Sequence, residues 1–513
     1  MKMHTGTMMN RWLSAYPREG RVSLSEIPRL AYSELYEDLC QCLREEHFHV
    51  ASYFGVPGPE GLLLICLVMD DLTGCVRIAS YLYGTGGERI LPSVTAVHPA
   101  MHVFEREIAE NFGVPFADQP WNKPLRYAHD RADRLRMMND YPFYAIDGEA
   151  LHEVNVGPIH AGIIEPGCFR FICNGEQIVH LEIMLGYQHR GVERLMRETE
   201  NRLRQAVLSE SIAGDSAVAH GTTYAMLAEA LSGHSVPESL EIERTLALEL
   251  ERIAIHIADT GALCTDIGYQ LGQVACEALR TIVINTTQAW CGNRFGKGLI
   301  RPGGTYYPLT ESLGELVQKN LEEVKRRFAE VTDDIMDSAS VLSRFEDCGV
   351  LTRSQAWRIG AVGEAARASG LKRDLRATHP TGAFRSMMHE PVMAAEGDVF
   401  SRLKIRLGEV MQSIDYVTTF VDRLKTGKET SPRPDYTLTW ASSSLAFACQ
   451  EGWRGEIVHV ALTDEQGRLT AYKIKDPSLH NWMGLALAVR REGISDFPIC
   501  NKSFNLSYCG HDL

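Results

Sequence analysis

The stretch Glu249–Asp266, ELERIAIHIADTGALCTD, decides the reading of this chain. Glu249, Arg252, His256, Asp259, Leu263 and Asp266 recur at alternating spacings of three and four, which places them on one stripe of an α-helix. Five of the six are ionisable, while the rest of the helix is largely apolar. A solvated helix face would give the same stripe. The flanking Leu-Glu-Leu and Ile-Ala-Ile runs favour burial on most sides instead, where unpaired charge is costly. The stripe then reads as a buried polar seam, either proton-conducting or an ion-pair network. The helix has a start signal in Ser235 and Glu238, a capping-box pair with Pro237 in the first turn.

From this helix outward, the chain from about residue 184 to about Lys428 is mostly helical. Glu311–Val341 is rich in charge pairs and reads as half exposed. Before it, Phe169–Cys173 and Gln177–Ile183 alternate around Asn174-Gly175, the pattern of a hairpin. After it, Tyr436–Lys475 returns to strand alternation with a turn at Asp464–Gly467. Leu30 to about Glu46 reads as an amphipathic helix. It is followed by short strand-like runs (His49–Val56, Leu62–Met69, Cys75–Tyr83, Arg89–Val97) bounded by Pro-Gly-Pro, Asp-Asp and Gly-Thr-Gly-Gly turns. A helix from about His102 to Asn111 closes this part. The fold class expected is α+β: a small N-terminal α+β domain, then a mainly helical domain with peripheral strands. The boundaries are a tail over 1–28, a first domain over 29–125, a linker over 126–148 rich in Pro, Asp, Arg and Asn, and a second domain over 149–513.

Composition narrows the function. The 513 residues carry a net charge of −14, which argues against an electrostatic grip on nucleic acid or anionic lipid. No apolar run reaches the roughly 18–20 residues of a membrane span; Gly61–Met69 is the longest. The opening segment lacks the apolar stretch of a secretory signal, so a cytoplasmic place is expected. Thirteen cysteines are scattered, none in Cys-x-x-Cys spacing. By themselves they read as small buried hydrophobes kept reduced. The loop Gly157–Arg170 brings His160, Glu165, Cys168 and Arg170 close in sequence. Arg190 and Glu193 can share a helix face, and Ile300-Arg-Pro-Gly-Gly304 is a tight glycine turn.

Taken in order, HEVNVGPIH (152–160), EPGCFRF (165–171), GYQHRGVERL (186–195), HIADTGALCTDIGY (256–269), IRPGGTYYPL (300–309) and ARASGLKRDLR (366–376) resemble the catalytic large subunit of group 4, membrane-bound nickel-iron hydrogenases and its relative, the quinone-site subunit of respiratory complex I. FEREIAENFGVPF (104–116), followed by Pro120 and Arg126, is similar to the small peripheral-arm complex I subunit often fused ahead of it. The resemblance implies a cytoplasmic arm on ion-pumping membrane subunits of the antiporter-like and anchor kinds, beside an iron-sulfur small subunit that delivers electrons. The charge and the apolar-run lengths add the expectation of no nucleic acid partner and no membrane span in this chain. In the hydrogenases two Cys-x-x-Cys pairs bind nickel and iron. Here Ala213 and Ser216 align with the first pair, Ser507 and Gly510 with the second, so the four thiolates are missing; Cys509 sits one residue off. The chain stops at Leu513, without an obvious maturation extension.

The rest of the pocket is retained in the resemblance. His220 matches the histidine after the first motif, and Arg454 the arginine segment overhanging the metals, with Trp453 in place of the usual proline. Glu193 matches the glutamate of the His-Arg-Gly-x-Glu motif, and Asp266 the helix aspartate linked in complex I to quinone and proton coupling. The complex I histidine and tyrosine that hold the quinone headgroup align with Cys168 and Ser211. The expectation is an energy-converting, complex-I-like oxidoreductase subunit with no cofactor of its own. An iron-sulfur cluster would lie in a partner, quinone or an unknown carrier would be the acceptor, and His160, Cys168, Glu193, His220, Asp259, Asp266 and Arg454 would form the site. The alternatives are a non-catalytic scaffold of such a complex and an active nickel-iron hydrogenase of formate hydrogenlyase type.

Overall fold

The computed structural model describes residues 9–84, 88–160, 164–427 and 430–513. Thr85–Gly87 of the expected Gly-Thr-Gly-Gly turn, part of the 157–170 loop, Lys428 and the first eight residues lie outside them. The architecture is mixed α+β, as the hydrophobic patterning implies. In the N-terminal part, β1 (Leu13–Ala15), β2 (Arg21–Ser23) and α1 (Tyr32–Cys42) lead into the meander β3 (Phe48–Gly58), β4 (Gly61–Asp70) and β5 (Cys75–Tyr83). A short parallel pair, β6 (Leu91–Pro92) and β7 (Phe116–Ala117), flanks α2 (His102–Phe112). The first sheet has the order β1-β5-β4-β3.

The second region opens with β8 (Leu151–Val156), β9 (Cys168–Asn174) and β10 (Gln177–Met184), an antiparallel sheet whose β9–β10 hairpin turns at Gly175, φ +59°. Helices follow: α3 (Val192–Glu198), α4 (Arg202–Ser209), α5 (Ala217–Ser232), α6 (Glu238–Asp266), α7 (Gln270–Cys291), α8 (Glu311–Met336), α9 (Ala339–Phe345), α10 (Arg353–Ile359), α11 (Gly363–Ala368), α12 (Leu375–Thr378) and α13 (Val399–Thr426). The chain ends with β11 (Ser444–Gly452), β12 (Gly455–Thr463), β13 (Leu469–Lys475), α14 (Ser478–Ala488), α15 (Phe497–Phe504) and α16 (Tyr508–Asp512). β11–β13 join β2 in the order β13-β12-β11-β2.

The two four-stranded sheets pack face to face through Phe54, Ile65, Met69 and Ile78 of one and Phe447, Val458, Val460 and Leu462 of the other. Residues expected as a tail stitch them: β1 pairs with β5 and β2 with β11. The main core is helical, with α6 packed against α7 on one side and α13 on another. Gly261 makes the α6–α7 approach possible, because a Cβ there would lie 2.9 Å from Cys276 Cβ. The Ser235–Glu238 capping box does not form. α6 starts at Glu238 with Pro237 as N-cap and no side-chain cap, and Glu238 pairs with Arg423 of α13 instead. Proline has fixed the entry dihedral, so the helix end is set by tertiary contact. Among the described residues no helix is long and apolar enough to cross a membrane.

Candidate functional site

The stripe on α6 is buried. Glu249, Arg252 and His256 are fully enclosed and Asp259 nearly so. Their partners on α13 are Arg406, Glu409 and Ser413, at complementary spacings of three and four, with Arg402 one turn before them. Glu409 is the hub. Its Oε1 accepts from Arg367 (2.8 Å) and Arg376 (2.6 Å), and its Oε2 from His256 Nε2 (2.8 Å) and Arg252 Nη1 (3.4 Å). Arg252 also bonds Glu249 and the carbonyls of Glu451 and Gly452, while Ser413 donates to Glu249 at 2.5 Å. Burial alone would raise the Glu409 carboxyl, but Arg367, Arg376 and Arg252 hold it well below the usual carboxylate range. Burial, with Arg406 and Arg252 adding to it, pushes His256 down to about 4 against the pull of Glu409, so it is neutral at pH 7.

One turn further along α6 a second cluster begins. Arg406 bonds Asp259 (3.0 Å) and Glu364, and Asn505 donates to Asp259 at 2.7 Å. Asn505 also accepts Arg454 Nε on its carbonyl at 2.5 Å. Arg454 then makes a bidentate pair with Asp215, both contacts 2.6 Å, and lies 3.4 Å from Ser216 Oγ. Trp453, fully buried, donates to the Asp215 carbonyl at 2.8 Å and stacks under Arg454. Burial raises Asp259 despite Arg406 and Arg454. It pushes Glu364 up to about 8 against the pull of Arg406, with Asp259 and Glu409 adding to the rise.

Ala213, Ser216, Ser507 and Gly510 are all buried and converge here. Ser507 caps α16 by accepting from Gly510 N at 2.9 Å. A Cβ on Gly510 would lie 2.7 Å from Asp476 Cγ and Oδ2, so the Asp476 carboxylate fills the space a side chain at 510 would need. His220 Nε2 donates to Asp476 Oδ2 at 3.1 Å, and Ser478 N donates to Oδ1 at 2.8 Å. The chain continues from His220 Nδ1, which lies 3.1 Å from His459 Nε2, to His459 Nδ1, which lies 2.8 Å from the Tyr472 hydroxyl. Burial and His220 keep His459 far below its usual range, hence neutral. Tyr472 lines a cavity of about 500 Å³ between the N-terminal domain and α3, together with Arg126, Glu193, Arg194 and Lys473.

The remaining predicted residues are placed apart from this convergence. Glu193 lines that cavity, accepting from Lys473 Nζ (2.7 Å) and Ile474 N (2.9 Å); Lys473 also bonds Glu107 of α2 at 2.8 Å, and Arg126 pairs with Glu107. His160 donates to the Gly167 carbonyl at 3.0 Å. Cys168 packs with Tyr127, Tyr141 and Met184, its thiol 3.0 Å from Asn155 Oδ1 and raised by burial. Asp266, expected on the buried seam, is exposed at the end of α6. Cys509 hydrogen-bonds Ser507 at 3.4 Å and is pushed up to about 11 by burial, a protonated thiol. Among the described residues no group of three or more His, Cys, Asp or Glu side chains is arranged to hold a metal ion.

Sequence reasoning missed Glu409, Arg406 and Arg402, although their own four-three-four spacing was a signal of the same kind as the α6 stripe. Asp476, His459 and Tyr472 had no such signal.

Comparison with known proteins gives the relatives of this chain. Residues 266–512 match the family model described as the respiratory-chain NADH dehydrogenase 49 Kd subunit, and residues 32–143 match that of the 30 Kd subunit. The chain carries a 49 Kd-type region with a 30 Kd-type domain fused ahead, and its relatives are membrane-bound hydrogenase and NADH-quinone oxidoreductase subunits. It is 29% identical over 367 residues to the membrane-bound hydrogenase subunit alpha of Pyrococcus furiosus, covering 69% of this chain and 85% of that one. Formate hydrogenlyase subunit 5 of Escherichia coli is 27% identical over 435 residues, 81% and 76% of the two chains. The fused C/D polypeptide of the NADH-quinone oxidoreductase of Phocaeicola vulgatus is 25% identical over 468 residues, 84% and 89%. Members of this family are subunits of membrane-bound oxidoreductase complexes.

The raised carboxyls give a pH prediction. Glu364 and Glu251 are each pushed by burial to about 8 and Glu451 to about 7, above the ordinary glutamate value. A folded value above the unfolded one means the native state binds the extra proton, so this contribution to stability declines as pH rises from the ordinary glutamate range to about 8. Infrared spectra at pH 7 should show protonated carboxyl groups that titrate away near 8, with part of the band absent in Glu364→Gln. A spectrum with no protonated carboxyl at pH 7 would contradict the assignment.

Proposed function

We propose that the chain is the cytoplasmic-face core subunit of a complex-I-like oxidoreductase complex. It receives electrons from an iron-sulfur partner, passes them to quinone or another acceptor, and couples this to ion translocation by antiporter-like and anchor membrane subunits, without a nickel-iron centre. The buried charged seam carries this reading. A scaffold does not need Glu249, Arg252, His256, Asp259, Arg406 and Glu409 enclosed together, since burying ion pairs is at best neutral for stability against apolar packing.

The residues at the four former ligand positions do not fit a soft metal centre. A methyl, two hydroxyls and a hydrogen supply no thiolate, and the Asp476 carboxylate stands where a ligand at 510 would extend. What remains is a set of proton-handling groups. Tyr472, His459, His220 and Asp476 form a hydrogen-bonded chain between the cavity at Glu193 and the former metal position. Arg454 and Asp259 link that position to the seam. In this reading His220, Asp259 and Arg454 are the working members, Glu193 stands at the cavity end of the chain, and His160, Cys168 and Asp266 lie at the margins.

A second reading, a non-catalytic scaffold, is favoured by Trp453, whose fully buried indole fills space over the first motif. Two measurements on the complex purified with its partners separate the readings. Metal analysis is expected to find no stoichiometric nickel; stoichiometric nickel would sink the metal-free assignment. Reduction of a short-chain quinone is expected to fall by roughly 100-fold in Arg454→Gln and Asp259→Asn, the scale of a lost proton-transfer group. Unchanged rates in both variants would leave the scaffold.

A further inference from the structure

A second chemistry-bearing pair lies away from the seam's hydrogen bonds. Cys348, in the segment between α9 and α10, and Cys500, in α15, hold their Sγ atoms 3.7 Å apart in a buried setting. Gly349 clears the way for this contact. Its φ is +64°, and a Cβ there would lie 2.7 Å from Cys500 Sγ, so a side chain after Cys348 would push the sulfurs apart. Beside the pair sits Arg402, fully buried. Its guanidinium donates to Ser503 Oγ (2.8 Å) and to the carbonyls of Gly397 (2.7 Å) and Gly349 (3.0 Å). It lies over the Phe504 ring, and among the described residues no carboxylate is within ion-pair distance of it. Burial lowers this guanidinium to about 10, the mark of a cation short of a counter-ion. A thiolate on the cysteine pair would supply one.

We infer that Cys348 and Cys500 are a redox-active dithiol, a modification site that a peroxide converts to a disulfide. The Cys348 thiolate, the less enclosed of the two, attacks one peroxide oxygen. The O–O bond breaks, hydroxide leaves and takes up the thiol's proton as water, and Cys348 becomes a sulfenic acid. Cys500 then attacks the Cys348 sulfur; the S–O bond breaks and hydroxide departs with the Cys500 proton as a second water. Two thiols lose two electrons and the peroxide becomes two waters. The sulfurs need to close by about 1.7 Å to reach a disulfide bond length.

The bond would tie the 346–351 segment to α15 five residues before Asn505. That residue accepts Arg454 and donates to Asp259, so oxidation would pin the strand of chain that holds both.

The test is to treat the full chain with one equivalent of hydrogen peroxide, alkylate under denaturing conditions and map the peptides. The expected result is a Cys348–Cys500 linked peptide and the loss of two of the thirteen thiols. In Cys500→Ser the reaction should stop at a dimedone-reactive sulfenic acid on Cys348; in Cys348→Ser, Cys500 should stay reduced. Arg402→Lys should slow linkage while leaving its position unchanged. Cys40 is the internal control, because it is more exposed than either member of the pair. If Cys40 is oxidised first and Cys348 and Cys500 remain free thiols, accessibility alone governs oxidation and the inference is overturned.

Discussion

Glu409→Ala is expected to destabilise the chain by about 3–5 kcal/mol, the cost of removing one partner from a buried ionic cluster. Four donors meet on this one carboxylate: Arg367, Arg376, His256 and Arg252. Removing it leaves three enclosed guanidiniums facing each other with Glu249, Asp374 and Glu451 as the remaining anions. The loss exceeds that of a surface ion pair such as Arg326–Glu330, whose side chains are about two-thirds exposed and whose removal should change stability by less than about 1 kcal/mol. Urea unfolding of the two variants against the parent chain reads the contrast. Equal effects would mean that the enclosed cluster is as well screened as the surface.

The pH dependence separates the same carboxylate from its neighbour. The folded-state value of Glu409 is depressed, so its stabilisation is present at neutral pH and is lost as pH falls through and below the usual carboxylate range. Glu364, raised to about 8, acts in the opposite sense.

This seam shows how far the sequence could be read. Spacing placed Glu249, Arg252, His256 and Asp259 on one face of a helix, but a single helix cannot say whether that face meets water. Burial was decided by α13, where Arg406 and Glu409 repeat the spacing with complementary charge. Two such stripes facing each other are mutually satisfying only when enclosed together. Asp266 continued the α6 spacing and yet is exposed, as the last residue of the helix. The Tyr472–His459–His220–Asp476 chain was hidden for another reason. His459 and Tyr472 belong to neighbouring strands, and Tyr472 pairs with Ala461, which puts it diagonal to His459. Register creates that contact, and register is not visible in either strand alone. The extended segments Leu13–Ala15 and Arg21–Ser23 were missed similarly: three-residue strands carry too little alternation to distinguish them from a tail.

Gly510→Cys, which places a thiol at a position proposed above as a lost metal ligand, is expected to cost about 3 kcal/mol, because overpacking and disturbance of a buried charge combine there. The added Cβ would meet Asp476 at 2.7 Å, and Asp476 is held on both oxygens, by His220 and by Ser478 N. It cannot swing aside without leaving the His220 ring without its acceptor. Asp476→Ala removes the clashing atoms at the cost of that same acceptor, so the two substitutions should couple. The double variant is expected to lose less than the sum of the singles by about 1–3 kcal/mol. Additivity to within about 0.5 kcal/mol would show that Gly510 and Asp476 do not compete for the same space. The physical content of the cycle is functional as well as structural. A thiol at 510 and the carboxylate that ends the Tyr472–His459–His220 chain require one volume, so under the proposed function a metal ligand at 510 and a proton acceptor at Asp476 exclude each other.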